Sequence, residues 1–314
     1  MKVLIREYGL LVLLIGSMTY YALMHIPYGN NSEQSAVAAA FRDWKKCTLM
    51  HADDIKTDPK KVWENFAAIT TRCVNTTNVS KIKVDIFQNR EEKKYFILNR
   101  TDTKPAVILT IGVGADIDAE EKLKEVLPKG TEFFGADPIR VPNAELFSKV
   151  GKFFSLAVGG YSGLYEASVR NESSVYEPLL VNHVDVLTFI LKMVKHNFID
   201  HMILDNEGPE YDIIPMMVVD NLFADSNVVV CHLNVESYIF KVVQYPRYRS
   251  LQISLFHQPG PKERLARFSK IMFDMLRDGR YGIVRNVNAG HQQMFLVNHE
   301  DPRCIEKYLE QFFY

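Results

Sequence analysis

The sequence predicts an α/β fold in which a Rossmann-like, doubly wound and mostly parallel sheet follows a helical region and an apolar N-terminal segment. Three observations support this prediction. Apolar runs of strand length alternate with helical stretches after residue 105, helical patterning precedes them, and one uncharged run occupies residues 9–26. Strands that alternate with helices form parallel sheets covered on both faces.

The composition excludes several classes of protein. The chain has 314 residues, 47% apolar and 24% charged, enough for one sizeable domain with an appendage or for two modest domains. With 37 basic and 38 acidic residues it lacks the positive surplus of a nucleic-acid-binding protein. A mean hydropathy of −0.10 excludes a polytopic membrane protein. The four cysteines lack the paired spacing of a structural zinc site.

The apolar segment near the N terminus sets the expected compartment. Residues 9–26 contain no Asp, Glu, Lys or Arg, and Lys2 and Arg6 precede them. A helix of this length would span about 27 Å, at the short end for a bilayer core. The positive-inside rule places residues 1–8 in the cytosol and the remainder in the lumen of the Golgi or endoplasmic reticulum, as in a single-pass type II protein. Secretion after signal cleavage is the alternative.

Two further features agree with a luminal location. In an oxidising lumen Cys47 and Cys73 are expected to pair, whereas Cys231 lies in an apolar strand-like run and is expected to be a buried thiol. The pairing of Cys304 is left open. Asn-x-Ser/Thr acceptors for glycans occur at Asn30, Asn75, Asn78, Asn99 and Asn171.

The elements divide the chain into two regions after the anchor. Residues 27–104 are expected to form a stem or cap with short helices at 36–44 and 62–69, and residues 105–314 the sheet domain. The predicted strands are 106–111, 131–136, 153–158, 198–204 and 228–235, followed by a hairpin of 281–287 with 294–298. The predicted helices are 118–127, 143–150, 184–196, 210–219 with a break at Pro215, and 261–278.

A candidate nucleoside site lies at the first two strands of this domain. Gly112 and Gly114 follow the first strand, where they would let a ligand approach the backbone, and Asp137 follows the second, where an acid suits ribose hydroxyls. Position 117 is Ile, where a dinucleotide motif has its third glycine, so a pyrophosphate fits poorly. S-adenosylmethionine, which has no phosphate, is therefore the expected cofactor. The alternative is an ordinary glycine turn.

Residues 105–300 resemble the FkbM-type S-adenosylmethionine-dependent methyltransferases, particularly their membrane-anchored animal relatives. The matching stretches are IGVGAD at 111–116, FFGADP at 133–138, LAVGG at 156–160 and LDNEGPE at 204–210. The chain differs from the family pattern at Ile203, where the family has lysine, and at Thr110, where it tends to have an acid. Asp116 or Glu120 is expected to take over part of the role of that acid.

The resemblance also implies the roles of cofactor-binding residues. Gly112 and Gly114 would line the methionine part of S-adenosylmethionine, Asp137 would hold the ribose hydroxyls, and Ala157 would border the adenine. These positions lie at the carboxyl ends of parallel strands, where open sheets of this kind bind ligands.

Methyl transfer to oxygen requires a base for the proton of the acceptor hydroxyl. Glu207 and Asp205 follow the fourth strand and are the predicted bases. His232, Asn234 and Glu236 share one face of the fifth strand, and Asn234 and Glu236 are expected to bind the acceptor, with His232 either beside them or in the core. These carboxylates could instead hold a divalent cation, and residues 205–208 could be only a turn that caps a helix.

The sequence thus favours a luminal, anchored methyltransferase that acts on a hydroxyl of a glycan or another acceptor of the secretory pathway. A type II Golgi glycosyltransferase is a second hypothesis, because Asp116 and Asp118 form the D-x-D pattern that can bind a nucleotide-sugar with its metal ion. A non-catalytic binding protein on the methyltransferase fold is a third.

Overall fold

The structure is a computed structural model that describes residues 33–90, 92–99, 101–170, 176–206, 208–239 and 260–314. Within these ranges no helix combines the length and the apolar character needed to cross a membrane. The predicted tail at 1–8 and anchor at 9–26 lie outside the described residues, as do Asn30, Asn171 and the candidate base Glu207.

The central sheet has seven strands, five of which are joined to one another by parallel pairing. In chain order the strands of the molecule are β1 (Asp85–Gln88), β2 (Lys93–Phe96), β3 (Val107–Ile111), β4 (Glu132–Ala136), β5 (Lys152–Phe154), β6 (Ala157–Gly159), β7 (Gly163–Arg170), β8 (Tyr176–Asp185), β9 (Phe198–Leu204), β10 (Val229–Ser237), β11 (Tyr281–Asn288) and β12 (Gln292–Asn298). The central order is β11-β12-β10-β9-β3-β4-β5, with β11 and β12 forming the predicted hairpin and β12 antiparallel to β10. The prediction of an α/β fold with a mostly parallel sheet is confirmed.

Helices connect and cover these strands. They are α1 (Glu33–Ala52), α2 (Pro59–Thr76), α3 (Asp118–Val126), α4 (Asn143–Ser148), α5 (Val186–Thr188) continued by a π-helix (Phe189–Val194), α6 (Glu210–Val218), α7 (Leu222–Asp225), α8 (Pro261–Asp278) and α9 (Pro302–Cys304) continued by a π-helix (Ile305–Leu309). Short 3-10 helices occupy Asp53–Ile55, Asn78–Lys81 and Glu310–Phe312. Helix α8 has the predicted bounds because Pro261 occupies its first turn, where the missing N–H costs nothing.

The helices of the predicted stem or cap pack into the same compact unit as the sheet, which extends over Ala36–Tyr314. Trp63 of α2 meets Phe268 of α8 edge to face, with ring centroids 4.8 Å apart. Phe41 of α1 stacks on His299 at 4.6 Å. Residue 282 of β11 is glycine because a Cβ there would lie 2.3 Å from the Phe41 ring. These contacts bury apolar surface, and burial of apolar surface is the main favourable contribution to folding.

Two disulfides join distant parts of the chain. Cys47 of α1 is bonded to Cys73 of α2, as predicted. The prediction of a buried thiol at Cys231 is wrong, because Cys231 of β10 is bonded to Cys304 of α9. The strand pattern correctly predicts that Cys231 is buried. It does not indicate which C-terminal element packs against β10. In the chain-entropy model, closing loops of 26 and 73 residues contributes about 3.5 and 4.4 kcal/mol.

The C-terminal segment also donates hydrogen bonds to a buried carboxylate of the central sheet. Asp200 of β9 is 2% exposed, and its Oδ2 accepts a hydrogen bond from the N–H of Val107 at 2.7 Å. Its Oδ1 accepts from Lys307 Nζ at 2.7 Å and from the Tyr308 hydroxyl at 2.6 Å. Buried charge of this kind is tolerated because it is paired and hydrogen-bonded.

Four element predictions are wrong in their extent. The predicted helices 36–44 and 62–69 are too short, since α1 and α2 extend over Glu33–Ala52 and Pro59–Thr76. The predicted strand 153–158 is two strands in different sheets, because a bend in which Leu156 N–H donates to Phe154 O separates β5 from β6. The predicted helix 184–196 begins only at Val186. β8 continues to Asp185, whose Oδ1 accepts from Thr188 N–H at 2.9 Å and caps the helix. β6, β7 and β8 form a separate three-stranded sheet.

The predicted break at Pro215 is also wrong, since α6 continues through it. Proline lacks the N–H that would bond to the carbonyl of Tyr211, four residues earlier. Arg267 of α8 replaces that donor, with Nη2 2.9 Å from the Tyr211 oxygen. Because a neighbouring helix satisfies the carbonyl, the helix persists.

Candidate functional site

A cavity of about 980 Å³ opens at the carboxyl ends of the parallel strands β3, β4 and β9. Thr110 of β3 lies beside Gly135 of β4 and Ile203 of β9, and Ile203 lies beside Asn234 of β10. Neighbours across a sheet share a face, so these residues belong to one surface. Its size is that of a cofactor or substrate site. The lining residues include Gly112, Gly114, Asp116, Asp137, Ala157 and Asp205, so the structure brings these predicted positions together.

The turn between β1 and β2 contributes a second wall of the cavity, which we call the roof hairpin (residues 85–96). Asn89 Oδ1 accepts a hydrogen bond from Ala119 N–H in the first turn of α3, at 2.7 Å. Asp116 Oδ2 accepts from Arg90 N–H at 2.8 Å, and its Oδ1 accepts from Asp118 N–H at 3.1 Å. Asp116 therefore holds the roof hairpin against the start of α3. The sequence analysis above did not predict that this hairpin belongs to the site.

The glycine loop after β3 has a strained backbone that only certain residues adopt. Gly112, Gly114 and Ala115 have φ values of 87°, 61° and 60°. A Cβ on Gly112 would lie 1.8 Å from the carbonyl oxygen of Asp205, so glycine allows the ends of β3 and β9 to meet. A Cβ on Gly114 would meet no described atom within 4 Å. Gly114 is thus the glycine that leaves room for a ligand.

The N–H groups of this loop already have partners within the protein. Asp137 Oδ2 accepts from the N–H groups of Val113 and Gly114, both at 3.1 Å. Asn143 Oδ1 accepts from Ala115 N–H at 2.8 Å. The N–H of Gly112 donates to Ala136 O at 2.9 Å. Phosphate-binding loops offer such N–H groups to the ligand, so this loop suits a ligand without phosphate.

Asp137 therefore holds the loop in addition to any contact with a ribose. It is 8% exposed, and its Oδ1 accepts from Ile139 N–H at 2.8 Å. Burial raises the pKa of Asp137, while the donated hydrogen bonds from Gly114, Ile139, Val113 and Asn143 act in the opposite direction. These bonds use most of the acceptor capacity of one carboxylate.

Glu120 is bonded to Thr110 at the inner wall of the cavity. Thr110 Oγ1 donates to Glu120 Oε1 at 2.7 Å, and both residues line the cavity while being 2% exposed. The other oxygen, Oε2, has no partner among the described residues. Burial raises the pKa of Glu120, against the hydrogen bond from Thr110. Of the two residues expected to replace the acid, Glu120 has the position for it and Asp116 is used by the roof hairpin.

Asp205 and Asn206 line the cavity after β9. Asn206 Nδ2 donates to Val158 O at 2.7 Å, and its buried Oδ1 has no partner in the described part of the chain. Ala157 lines the cavity nearby, and Ile203 forms part of its floor. Lys94 of β2 lies close enough to Asp205 for their charges to interact.

A cluster of ionisable side chains lies where the roof hairpin meets β10 and the turn after β11. We call Glu92, Lys94, Glu236, Tyr238 and His291 the roof cluster. Lys94 Nζ donates to Glu92 Oε2 at 2.5 Å and to Glu236 Oε1 at 2.7 Å. The Tyr238 hydroxyl donates to Glu236 Oε2 at 2.6 Å, and His291 Nε2 lies 3.2 Å from the same oxygen. Of these five residues, only Glu236 is predicted from the sequence as a site residue. The charge run at 91–94 before an apolar strand is the signal that could have indicated Glu92 and Lys94.

The electrostatics of this cluster differ between its members. Burial opposes the charge on Lys94, but Glu236, Asp205 and Glu92 outweigh it and hold the pKa of Lys94 above its usual range. Burial raises the pKa of Glu92 to about 7, and its hydrogen bond with Glu236 acts in the same direction. Burial would also raise the pKa of Glu236, but hydrogen bonds from His291 and Glu92 and the charge of Lys94 hold it well below its usual range.

The predicted acceptor residues of β10 do share a face, but they do not line the cavity. Asn234 is bonded to the main chain of Tyr95. His232 is 1% exposed, packs against Tyr308 and Phe96, and neither ring nitrogen has a partner among the described residues. Burial lowers the pKa of His232, and that of its neighbour His201 to about 3. His232 is thus a neutral core residue.

The exposed glycan acceptors within the described ranges are Asn75 and Asn78. Asn99 is half-buried, and its Nδ2 donates to Lys307 O at 2.5 Å, so attachment of a glycan there would break a contact with the C-terminal segment.

Comparison with known proteins gives no assignment. No protein-family model, no curated protein and no solved structure matches this chain. The geometry of the cavity and the sequence motifs that line it are therefore the basis for a functional proposal.

Proposed function

We propose that the protein is an S-adenosylmethionine-dependent methyltransferase related to the FkbM type, with a sheet of the class I methyltransferase type. The observation that carries the proposal is the glycine loop at the cavity. Its N–H groups are bonded to Asp137, Asn143 and Ala136, so the loop suits a nucleoside cofactor rather than a phosphate ester.

The polar groups of the cavity fit the rest of such a cofactor. The carboxylate oxygen Oε2 of Glu120 has no partner in the described residues and would bind the ammonium of the methionine part. Asn206 Oδ1, buried and also without a described partner, can accept a hydrogen bond from an amino group. Ile139, Pro142 and Ala157 supply an apolar wall for a flat base next to Asp137.

When bound, S-adenosylmethionine would supply an electrophilic methyl group on a positively charged sulfur. The chain's own contribution is positioning and charge. Glu120, Asp137 and Asp205 give the inner wall a negative character that favours a cation. The same carboxylates disfavour a nucleotide-sugar diphosphate, and Asp116 of the D-x-D pattern is already bonded to two main-chain N–H groups.

We further propose a secretory location, with a glycan or other hydroxyl-bearing acceptor and a type II anchor at residues 9–26. Two disulfides support this part, because such bonds persist in oxidising compartments. The exposed acceptor sites Asn75 and Asn78 agree with it.

Cofactor binding can be tested with a matched pair of variants in the purified full chain. We expect S-adenosylhomocysteine to raise the melting temperature of the wild type and to bind with a Kd that Glu120→Gln weakens about tenfold. Glu120→Gln keeps the side-chain shape and removes the charge. Glu121→Gln, on the exposed side of the same helix, should leave the Kd unchanged.

Two results would contradict the proposed binding of S-adenosylmethionine. No thermal shift at millimolar S-adenosylhomocysteine would contradict the proposal. Stabilisation by a nucleotide-sugar with manganese instead would favour a glycosyltransferase.

A further inference from the structure

The roof cluster contains one carboxylate that lines the cavity. Glu92 lines it, with 19% of its side chain exposed, whereas the side chains of Glu236 and Lys94 are 5% and 6% exposed. Glu236 lies behind Glu92 and is held by Lys94, Tyr238 and His291. An acceptor molecule in the cavity would therefore contact Glu92 before the other carboxylate of the cluster.

We propose that Glu92 is the general base of the transfer reaction and accepts the proton of an acceptor hydroxyl held beneath the roof hairpin, an inference that rests on the proposed function. Lys94 and Glu236 are positioning residues that fix the carboxylate of Glu92.

The backbone of Glu92 is fixed as well as its side chain. Its carbonyl oxygen accepts hydrogen bonds from Asn89 N–H and Gln88 Nε2, both at 2.8 Å. Asn89 in turn accepts from Ala119 N–H at the start of α3. The backbone of Glu92 is thus held at the same helix end that carries Glu120. Holding a base rigidly beside its substrate is a main source of catalytic efficiency.

The charges that face Glu92 suit a base that works near neutral pH. They are Lys94 from β2, Glu236 from β10 and His291 from the turn after β11. Behind them, Tyr238 bonds to Glu236 and the charge of Asp205 acts on Lys94. Burial and Glu236 raise the pKa of Glu92 to about 7, while Lys94 acts in the opposite direction. A catalytic base is most effective when its pKa lies near the working pH.

The proposed step balances in atoms and charge. The acceptor oxygen forms a bond to the methyl carbon while the carbon–sulfur bond breaks. The hydroxyl proton passes to a carboxylate oxygen of Glu92. S-adenosylmethionine would supply the methyl group from its positively charged sulfur and become a neutral thioether. Glu92 would then return its proton to solvent through the open cavity.

Glu92, Glu236 and His291 also have ligand atoms within 4.8 Å of one another, a spacing that a divalent cation could use. Lys94 Nζ, however, lies 2.5 and 2.7 Å from the two carboxylates, so the chain already supplies a positive charge there. We therefore assign the cluster to proton transfer rather than to metal binding.

The test compares wild type, Glu92→Gln and the surface control Glu121→Gln as purified full chains. Carbon-13 spectra of labelled glutamate should show one carboxyl that titrates near pH 7 in the wild type and in Glu121→Gln, and not in Glu92→Gln. With methyl-labelled S-adenosylmethionine and a panel of free oligosaccharides, Glu92→Gln should transfer methyl groups about 100-fold to 10,000-fold more slowly. Its residual rate should no longer rise with pH through 7.

The outcomes separate the two proposals. No binding of S-adenosylhomocysteine by the wild type removes the proposed function and this inference with it. Normal binding with a Glu92→Gln rate within threefold of wild type overturns only the role of Glu92. Absence of the carboxyl titration near pH 7 does the same even if no sugar of the panel is methylated. Transfer that requires added manganese and stops with a chelator would instead assign the cluster to metal binding.

Discussion

The side-chain amide of Asn234 bonds to the main chain of Tyr95 in both directions. Nδ2 donates to the Tyr95 carbonyl oxygen at 2.7 Å, and Oδ1 accepts from the Tyr95 N–H at 2.9 Å. The side chain of Asn234 thus makes the two hydrogen bonds to the main chain of Tyr95 that a neighbouring strand would otherwise make. This contact attaches the roof hairpin, and with it Glu92 and Lys94, to the central sheet.

Asn234→Ala should destabilise the protein by about 2–4 kcal/mol, because it leaves a buried N–H and a buried carbonyl of Tyr95 without partners. Urea unfolding of the full chain measures the change. The control is Asn65→Ala, which removes an exposed bond from Nδ2 to Lys61 O within α2. If both variants lose the same small amount, Asn234 does not hold the hairpin.

Gly112→Ala and Gly114→Ala should differ sharply although both glycines have positive φ. Alanine at 114 costs about 1–2 kcal/mol for the left-handed backbone and leaves the protein folded. Alanine at 112 adds a clash with the carbonyl of Asp205 and forces the ends of β3 and β9 apart. Thermal melting tests the order, and equal melting temperatures would contradict the close approach of Gly112 and Asp205.

The buried His232 should make the protein less stable in mild acid. Burial lowers its pKa well below 6.5, so between pH 6.5 and that lower value the unfolded chain binds a proton that the folded chain does not. Stability is therefore lost as pH falls below about 6.5, by about 1.4 kcal/mol per pH unit for this residue.

His232→Leu should remove that part of the slope while filling the apolar space between Tyr308 and Phe96. Urea unfolding at pH 7 and at pH 5 gives the comparison. His201 and His299, whose pKa values burial lowers to about 3, should maintain the remaining slope. An unchanged slope in His232→Leu would show that the folded protein protonates this histidine.

Strands β3, β4 and β9 could be predicted because each is a short apolar run followed by glycine or acid. The strands before Gly112 and before Asp205 are buried on both faces. Strands of a parallel sheet that are buried on both faces appear in the sequence as continuous apolar runs, without alternating polar residues. Gly112, Gly114 and Asp137 could be placed together for the same reason, since carboxyl ends of parallel strands meet at one edge.

The roof cluster, the uninterrupted helix α6 and the second disulfide could not be predicted, because they depend on contacts between distant parts of the chain. Lys94 is almost completely buried in a run of four charged residues, which local patterning assigns to the surface. Its burial is possible only because Glu236, 142 residues later, lies opposite. Pro215 stays inside a helix because of Arg267, and Cys231 finds Cys304 across 73 residues. No local pattern contains these partners.

The Cys231–Cys304 bond and the contacts of Tyr308 with Asp200 have a consequence for biosynthesis. The C-terminal segment supplies the disulfide partner of β10 and a hydrogen-bond partner of β9. This segment is translated roughly a hundred residues after β9, which corresponds to a delay on the order of ten seconds at ordinary elongation rates. Until then an acid and a thiol at the centre of the molecule lack their partners. The nascent chain should consequently remain a client of chaperones and oxidoreductases until residues 304–308 have emerged.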